Sequence, residues 1–347
     1  MIRTDYSKPS LDIKKEESER IANESELVDG QNKAVDFLKK HQDRKKCLLC
    51  GDNLKGEKFD HRGLIFVLCG KCGHIQTKIN PPAGYPFIPE AGYKYKHIYP
   101  QQNFEEYKGR MLRIYKPKLD WAISCLNEIG YNNDKLKSMQ WTEIGCGGGY
   151  FLAALKDFGV KKFIGIDMDA DLVKFAQEKL GDDKVTISNS NKPEEIVAKY
   201  PADIYTAFFV FEHFENSYSF FSALKNLPAG TIIIFSVPLF GLTSLLENIF
   251  VANYARSLNG IVHTQAFTDK SINYALNLAG FEMIAQWIFG QDANDLTRIM
   301  INHVKNKLPK SIQRETINKI ITLIDPIQAN IDRANFSDQR HFIIKKI

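Results

Sequence analysis

Hydrophobic and polar positions follow two alternating periods through the second half of the chain. Short apolar, β-branched runs at 139–144, 162–166, 185–188, 204–210 and 231–237 have the length of buried strands. Between them, at 150–158, 170–180, 193–199 and 217–225, apolar residues recur at the three- and four-residue steps of helices. Asp169 and Asn191 suit helix N-caps, and Pro193 suits a first helical turn. Such alternation predicts a parallel sheet covered on both faces. The pattern then changes. Residues 241–266 are rich in Leu and Phe, contain an Asn-Gly pair, and read as a lid. A helix is expected at 269–279, ended by Gly280, then a strand at 281–289, a helical insertion at 293–336 and a last strand at 341–344.

The first half is less regular. From Phe104, apolar residues recur at Tyr107, Met111, Tyr115, Leu119, Ala122, Leu126 and Ile129, which predicts a long helix with Pro117 as a kink point. Cys125 lies near its apolar face and reads as a packed thiol. Four segments result: a polar, partly helical arm over 1–45, a cysteine-bearing module over 46–90, a linker and long helix over 91–136, and the main domain over 137–347. In the arm, Ala34, Val35 and Leu38 give at most a short amphipathic helix, and part of it is expected to stay disordered until something docks on it. Pro81, Pro82, Gly84 and Pro86 mark an extended stretch behind the module.

The 347 residues suffice for one large and one smaller domain, and a net charge of +5 is too small for a strong nucleic-acid footprint. The longest apolar run, 231–240, is too short to cross a bilayer, and residues 1–40 lack the apolar core of a signal peptide. A cytoplasmic protein is expected, whose six cysteines are thiols or metal ligands rather than disulfides.

Two motifs carry chemistry. The first strand runs into Glu143-Ile144-Gly145-Cys146-Gly147-Gly148-Gly149, and the second ends on Asp167. A strand, a glycine turn, a helix and a strand-terminal acid predict a nucleotide site: glycines let backbone approach the ligand, and the acid accepts from ribose hydroxyls. The spacing departs from the G-x-G-x-x-G dinucleotide fingerprint. Glu143, two residues before the first glycine, would repel a pyrophosphate and welcome an ammonium group. Cys146 reads as a small spacer in the turn. The second motif is Cys47-x2-Cys50 with Cys69-x2-Cys72, each pair followed by a glycine. Four thiolates so spaced predict a closed tetrahedral zinc site, structural because no coordination position stays open. His74 reads as a surface residue and a spare ligand.

The E-x-G-x-G-x-G pattern resembles the first motif of class I S-adenosylmethionine-dependent methyltransferases, through residues 138–240 and again at the C-terminus. The resemblance implies a doubly wound, Rossmann-like α/β fold: a seven-stranded, mostly parallel sheet with an antiparallel last strand, here joined by a small N-terminal zinc ribbon and helical additions. It also implies that Glu143 orients the methionine ammonium, that Gly145, Cys146 and Gly147 let the cofactor lie across the strand ends, that Asp167 holds the ribose, and that Met168 packs on the adenine. Asn189 stands where many members contact the adenine amine, and Phe211 stands beside the cofactor at the end of the fourth strand.

With its zinc module in front, the chain resembles sugar C-methyltransferases, which act on nucleotide-linked keto-sugars. The run from Phe289 to Leu296 also resembles methyltransferases of surface-polysaccharide gene sets. The sugar family carries a Glu-His pair at the end of the fourth strand and uses it in proton abstraction. By that resemblance His213 is the candidate base, assisted by Glu212. Tyr93 and Tyr95, in the position of that family's tyrosine-bearing segment, and His263, behind the lid, are further candidates near the substrate. The expected acceptor is a small polar metabolite, most of all a nucleotide-linked sugar or a surface-polysaccharide precursor, with nucleic acid and membrane insertion not expected. Two alternatives stay open: an rRNA or tRNA methyltransferase whose zinc module docks RNA, and a non-catalytic zinc-bearing scaffold; the one notable basic cluster, Lys39-Lys40 with Arg44-Lys45-Lys46, is interrupted by Asp43 and reads as a solvated charge run.

Overall fold

The computed structural model describes residues 2–8, 24–82, 104–188, 192–251, 258 and 263–347. Its strands, in chain order, are β1 (Arg3–Tyr6), β2 (Gly56–His61), β3 (Leu64–Cys69), β4 (Ile75–Thr77), β5 (Gln140–Ile144), β6 (Lys162–Asp167), β7 (Val185–Ile187), β8 (Ile204–Phe208), β9 (Ile232–Pro238), β10 (Gln265–Ala266), β11 (Phe281–Ile288) and β12 (Gln339–Lys346). Among the described residues they form two sheets. The large one has the order β1-β11-β12-β9-β8-β5-β6-β7, and the small one β10-β4-β3-β2.

In the large sheet β12 alone runs antiparallel to its neighbours, β9 and β11. This is the Rossmann-like arrangement expected, with one correction: eight strands are present, not seven. The eighth is β1, from the arm expected to be polar and partly disordered. It pairs in parallel with β11 from Arg3↔Ala285 to Tyr6↔Ile288, and Trp121 Nε1 donates to Asp5 Oδ2 at 2.9 Å. The edge that β11 would leave open is thereby paired.

Period-2 alternation divides the core between the two faces of the sheet. In β9, Ile232 and Ile234 face the cluster of Leu119, Ala122, Trp141, Phe151 and Leu155, under helices Lys116–Glu128 and Tyr150–Phe158. Ile233, Phe235 and Val237 face the cluster of Phe211, Phe220, Phe221, Ile272 and Ala275, under helices Ser217–Ala223 and Asp269–Ala279. Local signals bound the helices, at Asp169 and Gly280 as the sequence suggests. Asp169 accepts from the amides of Asp171 and Leu172, Thr268 forms a capping box with Ser271, and Gly159 and Gly280 close their helices in the left-handed conformation. Asn191 lies outside the described residues.

The long helix does change geometry near Pro117. Phe104–Arg110 and Lys116–Glu128 are α-helical, and Met111–Tyr115 between them is a π-helical turn. Proline has no amide hydrogen and crowds the carbonyl one turn back, so the preceding turn widens.

In the small sheet β2, β3 and β4 form an antiparallel meander, and β10, from the region expected to be a lid, adds to its edge with Gln265↔Gln76 and Ala266↔Ile75. Helix Glu24–Leu38 covers it through Ala34, Val35 and Leu38, packed on Leu64, Phe66 and Ile75. The helical insertion resolves into Asp292–Lys307, Lys310–Thr322 and Ile324–Arg333. At its start the buried Asp292 carboxylate accepts from the Thr243 amide at 2.8 Å, the Thr243 hydroxyl at 2.9 Å and the Asp338 amide at 3.0 Å. In the run 289–296, Asp292 is therefore a structural hub.

Candidate active site

The strand order reverses at β5, which lies between β8 and β6, and the C-terminal ends of these three strands carry the site. Glu143, near the end of β5, is 3 % exposed, and its Oε2 accepts no hydrogen bond. Burial pushes its carboxyl well above the usual range, against the pull of the Lys118 ammonium. A buried carboxylate oxygen with no donor is costly unless a ligand supplies one. An ammonium group fits that need.

The glycine turn is held by the acid of the next strand. Asp167 Oδ2 accepts the Gly147 amide at 2.7 Å, and Oδ1 accepts the Asp169 amide at 2.9 Å. Burial raises this carboxyl, and the two amide bonds oppose the shift. Gly145 and Gly147 sit at φ 69 and 50. A side chain on Gly147 would meet only open space, whereas one on Gly145 would meet Val210 Cγ2 at 2.5 Å. The open side of Gly147 is therefore a surface on which a ligand can lie against backbone. Met168 is 53 % exposed beside Asp167, free to cover a planar group. Cys146 is buried and its thiol is pushed up by burial, which suits a spacer and not a nucleophile.

Two residues that no sequence motif marks for the site shape this end of the sheet. Tyr107 stacks on Tyr150, ring centroids 4.5 Å apart, and its hydroxyl donates to the Gly148 carbonyl at 3.2 Å. Phe209 follows β8 at φ 58, a conformation rare for a residue with a side chain. It ends the strand at Phe208, two residues before the expected boundary, and nothing in the local sequence announces it. Lys118 is buried under the rings of Tyr115, Phe208 and Phe209, its Nζ 4.9, 4.7 and 5.4 Å from the centroids.

Beyond β8, the short turn Phe211–His213 presents the Glu-His pair. Glu212 is fully buried, and its carboxyl is pushed up to about 8 by desolvation. Neither of its oxygens accepts a hydrogen bond. His263 Nε2 lies 3.8 Å and His213 Nε2 4.0 Å from Glu212 Oε1, and the two imidazole rings are 5.1 Å apart. Two imidazoles thus face one buried carboxylate, with side chains 23 % and 30 % exposed. Phe211 does not join them. It is 1 % exposed and packs among Phe214, Phe220, Phe221 and Phe235, because the turn after β8 rotates it into the core. Its assignment beside the cofactor is corrected to a packing role. Tyr93, Tyr95 and Asn189 lie outside the described residues.

The four module cysteines converge. All four sulfurs are buried and lie within 4.8 Å of one another, with Cys47 Sγ 3.6 Å from Cys72 Sγ and Cys50 Sγ 3.8 Å from Cys69 Sγ. These separations exclude disulfides. A tetrahedral ion with sulfur at about 2.3 Å has edges of about 3.8 Å, so the sulfurs fit it. His74 is corrected from a surface residue to a fully buried one. Its Nε2 meets Gln265 Oε1 at 2.7 Å, and Gln265 Nε2 donates to the carbonyls of Glu212 at 3.0 Å and Phe214 at 2.9 Å. One glutamine thus joins the cysteine module to the turn that carries Glu212 and His213. A cavity of about 440 Å³ lies apart from all this, between β2–β4 and the ends of β9 and β12, lined by Phe59, Phe240, Phe267, Asp269 and Arg340.

A family model described as a methyltransferase domain matches residues 123–286. No curated protein matches the chain. Among solved structures, magnesium protoporphyrin IX methyltransferase from Synechocystis PCC 6803, with SAH bound, is 15 % identical, over 71 % of this chain and 89 % of that one, at a TM-score of 0.43. A SAM-dependent methyltransferase from Archaeoglobus fulgidus is 18 % identical, over 70 % of this chain and 97 % of that one, at a TM-score of 0.40. Residues 123–286, just under half of the chain, match a methyltransferase domain, and the protein is a methyltransferase.

Proposed function

We propose that the enzyme methylates a small polar metabolite, a nucleotide-linked sugar or a surface-polysaccharide precursor, and that the Glu212–His213–His263 group handles the proton of the acceptor. The observation that carries this reading is the convergence of two part-exposed imidazoles on one buried carboxylate at the end of β8, beside the glycine turn. S-adenosylmethionine supplies an electrophilic methyl group. The chain supplies position: Glu143 takes the ammonium, Asp167 the ribose, and the glycine turn the space between them. A hydroxyl, or a carbon beside a ketone, must lose a proton as the methyl arrives, and an imidazole is the side chain suited to accept it near neutral pH. His213, oriented by Glu212, is the candidate base of this reading.

The cysteine cluster is proposed to hold structural zinc. Four sulfurs at tetrahedral spacing leave no open position, and a module with so small a core gains its stability from the ion.

Incubating the purified enzyme with S-adenosylmethionine and panels of nucleotide-linked sugars, and assaying S-adenosylhomocysteine, tests the acceptor class. Turnover with a sugar nucleotide that His213→Ala abolishes, cofactor binding being kept, supports it. Turnover with RNA and with no sugar nucleotide would overturn it.

A further inference from the structure

We propose that Glu212, His213 and His263 hold a divalent transition-metal cation, a second metal site distinct from the four cysteines. The three side chains offer one carboxylate oxygen and two imidazole nitrogens, all within 4.8 Å of one another. The 3.8 and 4.0 Å separations from Glu212 Oε1 are too long for hydrogen bonds. They are close to those of ligands around one ion. Metal–nitrogen and metal–oxygen distances of about 2.1 Å set neighbouring ligands about 3.0–3.4 Å apart. Rotations of the two part-exposed imidazoles close the remaining gap of about 0.4–1.0 Å.

Glu212 is the second, independent observation. It is fully buried, and neither oxygen accepts a hydrogen bond. Burying a carboxylate in this way is strongly unfavourable unless positive charge stands beside it. A divalent cation supplies that charge. The backbone is also fixed for the purpose. Gln265 Nε2 binds the carbonyls of Glu212 and Phe214, and Gln265 lies two residues from His263, so one side chain locks the two ligand-bearing loops together.

Two nitrogens and one oxygen favour zinc, manganese, cobalt or iron over calcium and magnesium, which prefer oxygen. Three protein ligands leave positions open for the acceptor. The role of the ion, though not its binding, rests on the proposed function. An acceptor hydroxyl bound to it loses its proton to water more readily. The oxygen then forms a bond to the methyl carbon, the carbon–sulfur bond breaks, and its electron pair stays on a neutral thioether. His213 serves in that arrangement as a ligand rather than as the base.

The test is calorimetric titration of Mn(II), and separately Co(II), into full-length protein whose cysteine site already carries zinc. One further equivalent per chain is expected. Glu212→Gln and His263→Ala should each weaken it at least tenfold while keeping the melting temperature and S-adenosylhomocysteine affinity of the wild type. The variant at part-exposed His263 guards against misfolding of the Glu212 variant. No metal beyond the cysteine-bound equivalent, or a second equivalent indifferent to both substitutions, overturns the site. Undiminished turnover after the second ion is stripped overturns its role in the reaction. A second ion that binds as expected in an enzyme that methylates no sugar nucleotide supports the site and refutes only the acceptor class.

Discussion

Replacing Asp167 with alanine should remove most of the affinity for the cofactor. Its carboxylate already accepts the amides of Gly147 and Asp169, at 2.7 and 2.9 Å. Each oxygen keeps a second lone pair for a ribose hydroxyl. A hydrogen bond to a charged group contributes about 1.5–3 kcal/mol, so two such bonds to the ligand amount to about 3–6 kcal/mol, a loss of a hundredfold or more in affinity. The turn also suffers, because the Gly147 amide loses the acceptor that aims it. Asp167→Asn retains one acceptor oxygen and should fall between the wild type and Asp167→Ala. Titration calorimetry with S-adenosylhomocysteine measures the series, and a thermal melt shows whether each variant is folded. A folded Asp167→Ala that binds within threefold of the wild type would refute the assignment of this acid to the ribose.

Three further outcomes follow from the geometry. Gly145→Ala places a Cβ 2.5 Å from Val210 Cγ2 at φ 69; it should cost about 2–5 kcal/mol in a thermal melt, from left-handed strain and overlap together, and Val210→Ala in the same chain should restore part of that. Burial lowers the Lys118 ammonium to about 7 from the usual 10.5. Between those values the unfolded chain holds a proton that the folded chain has lost, so stability rises with pH across the window; Lys118→Met should flatten the rise in melting temperature from pH 7 to pH 10, and an unchanged slope would refute it. Cys69→Ser should lower bound zinc measured by atomic emission and raise amide exchange over 46–79, and through Gln265 it should also loosen the turn at 211–214; exchange confined to the module would show that the glutamine transmits nothing.

What was legible in the sequence was local. The glycine turn, Glu143, Asp167 and the paired cysteines lie within single motifs, and helices such as Tyr150–Phe158 and Asp269–Ala279 have clear apolar periods and end on glycine. What was not legible depends on distant partners. β1 has no apolar pattern of its own, with three half-buried residues and an exposed one, and is a strand because β11 stands beside it. The meeting of His263 with Glu212 is set by the addition of β10 to the cysteine module, a pairing that no local signal encodes. Phe211 was misplaced because its side-chain direction depends on where β8 stops, and Phe209 stops it early. His74 looked like a surface residue because its buried partner, Gln265, is remote in the chain.

The place of β12 bears on how the protein is made. It sits between β9 and β11 and pairs with both, yet it follows both in the chain. As the polypeptide leaves the ribosome, β5 to β9 can assemble first, with β9 as an open edge. That strand reads Ile-Ile-Ile-Phe-Ser-Val-Pro and is buried along its whole length in the finished fold. Until residues 339–346 emerge, it displays unpaired backbone and apolar side chains, the template on which nascent chains aggregate. Expression yield should therefore depend on chaperone supply and on an intact β12 more than on any residue of the catalytic site.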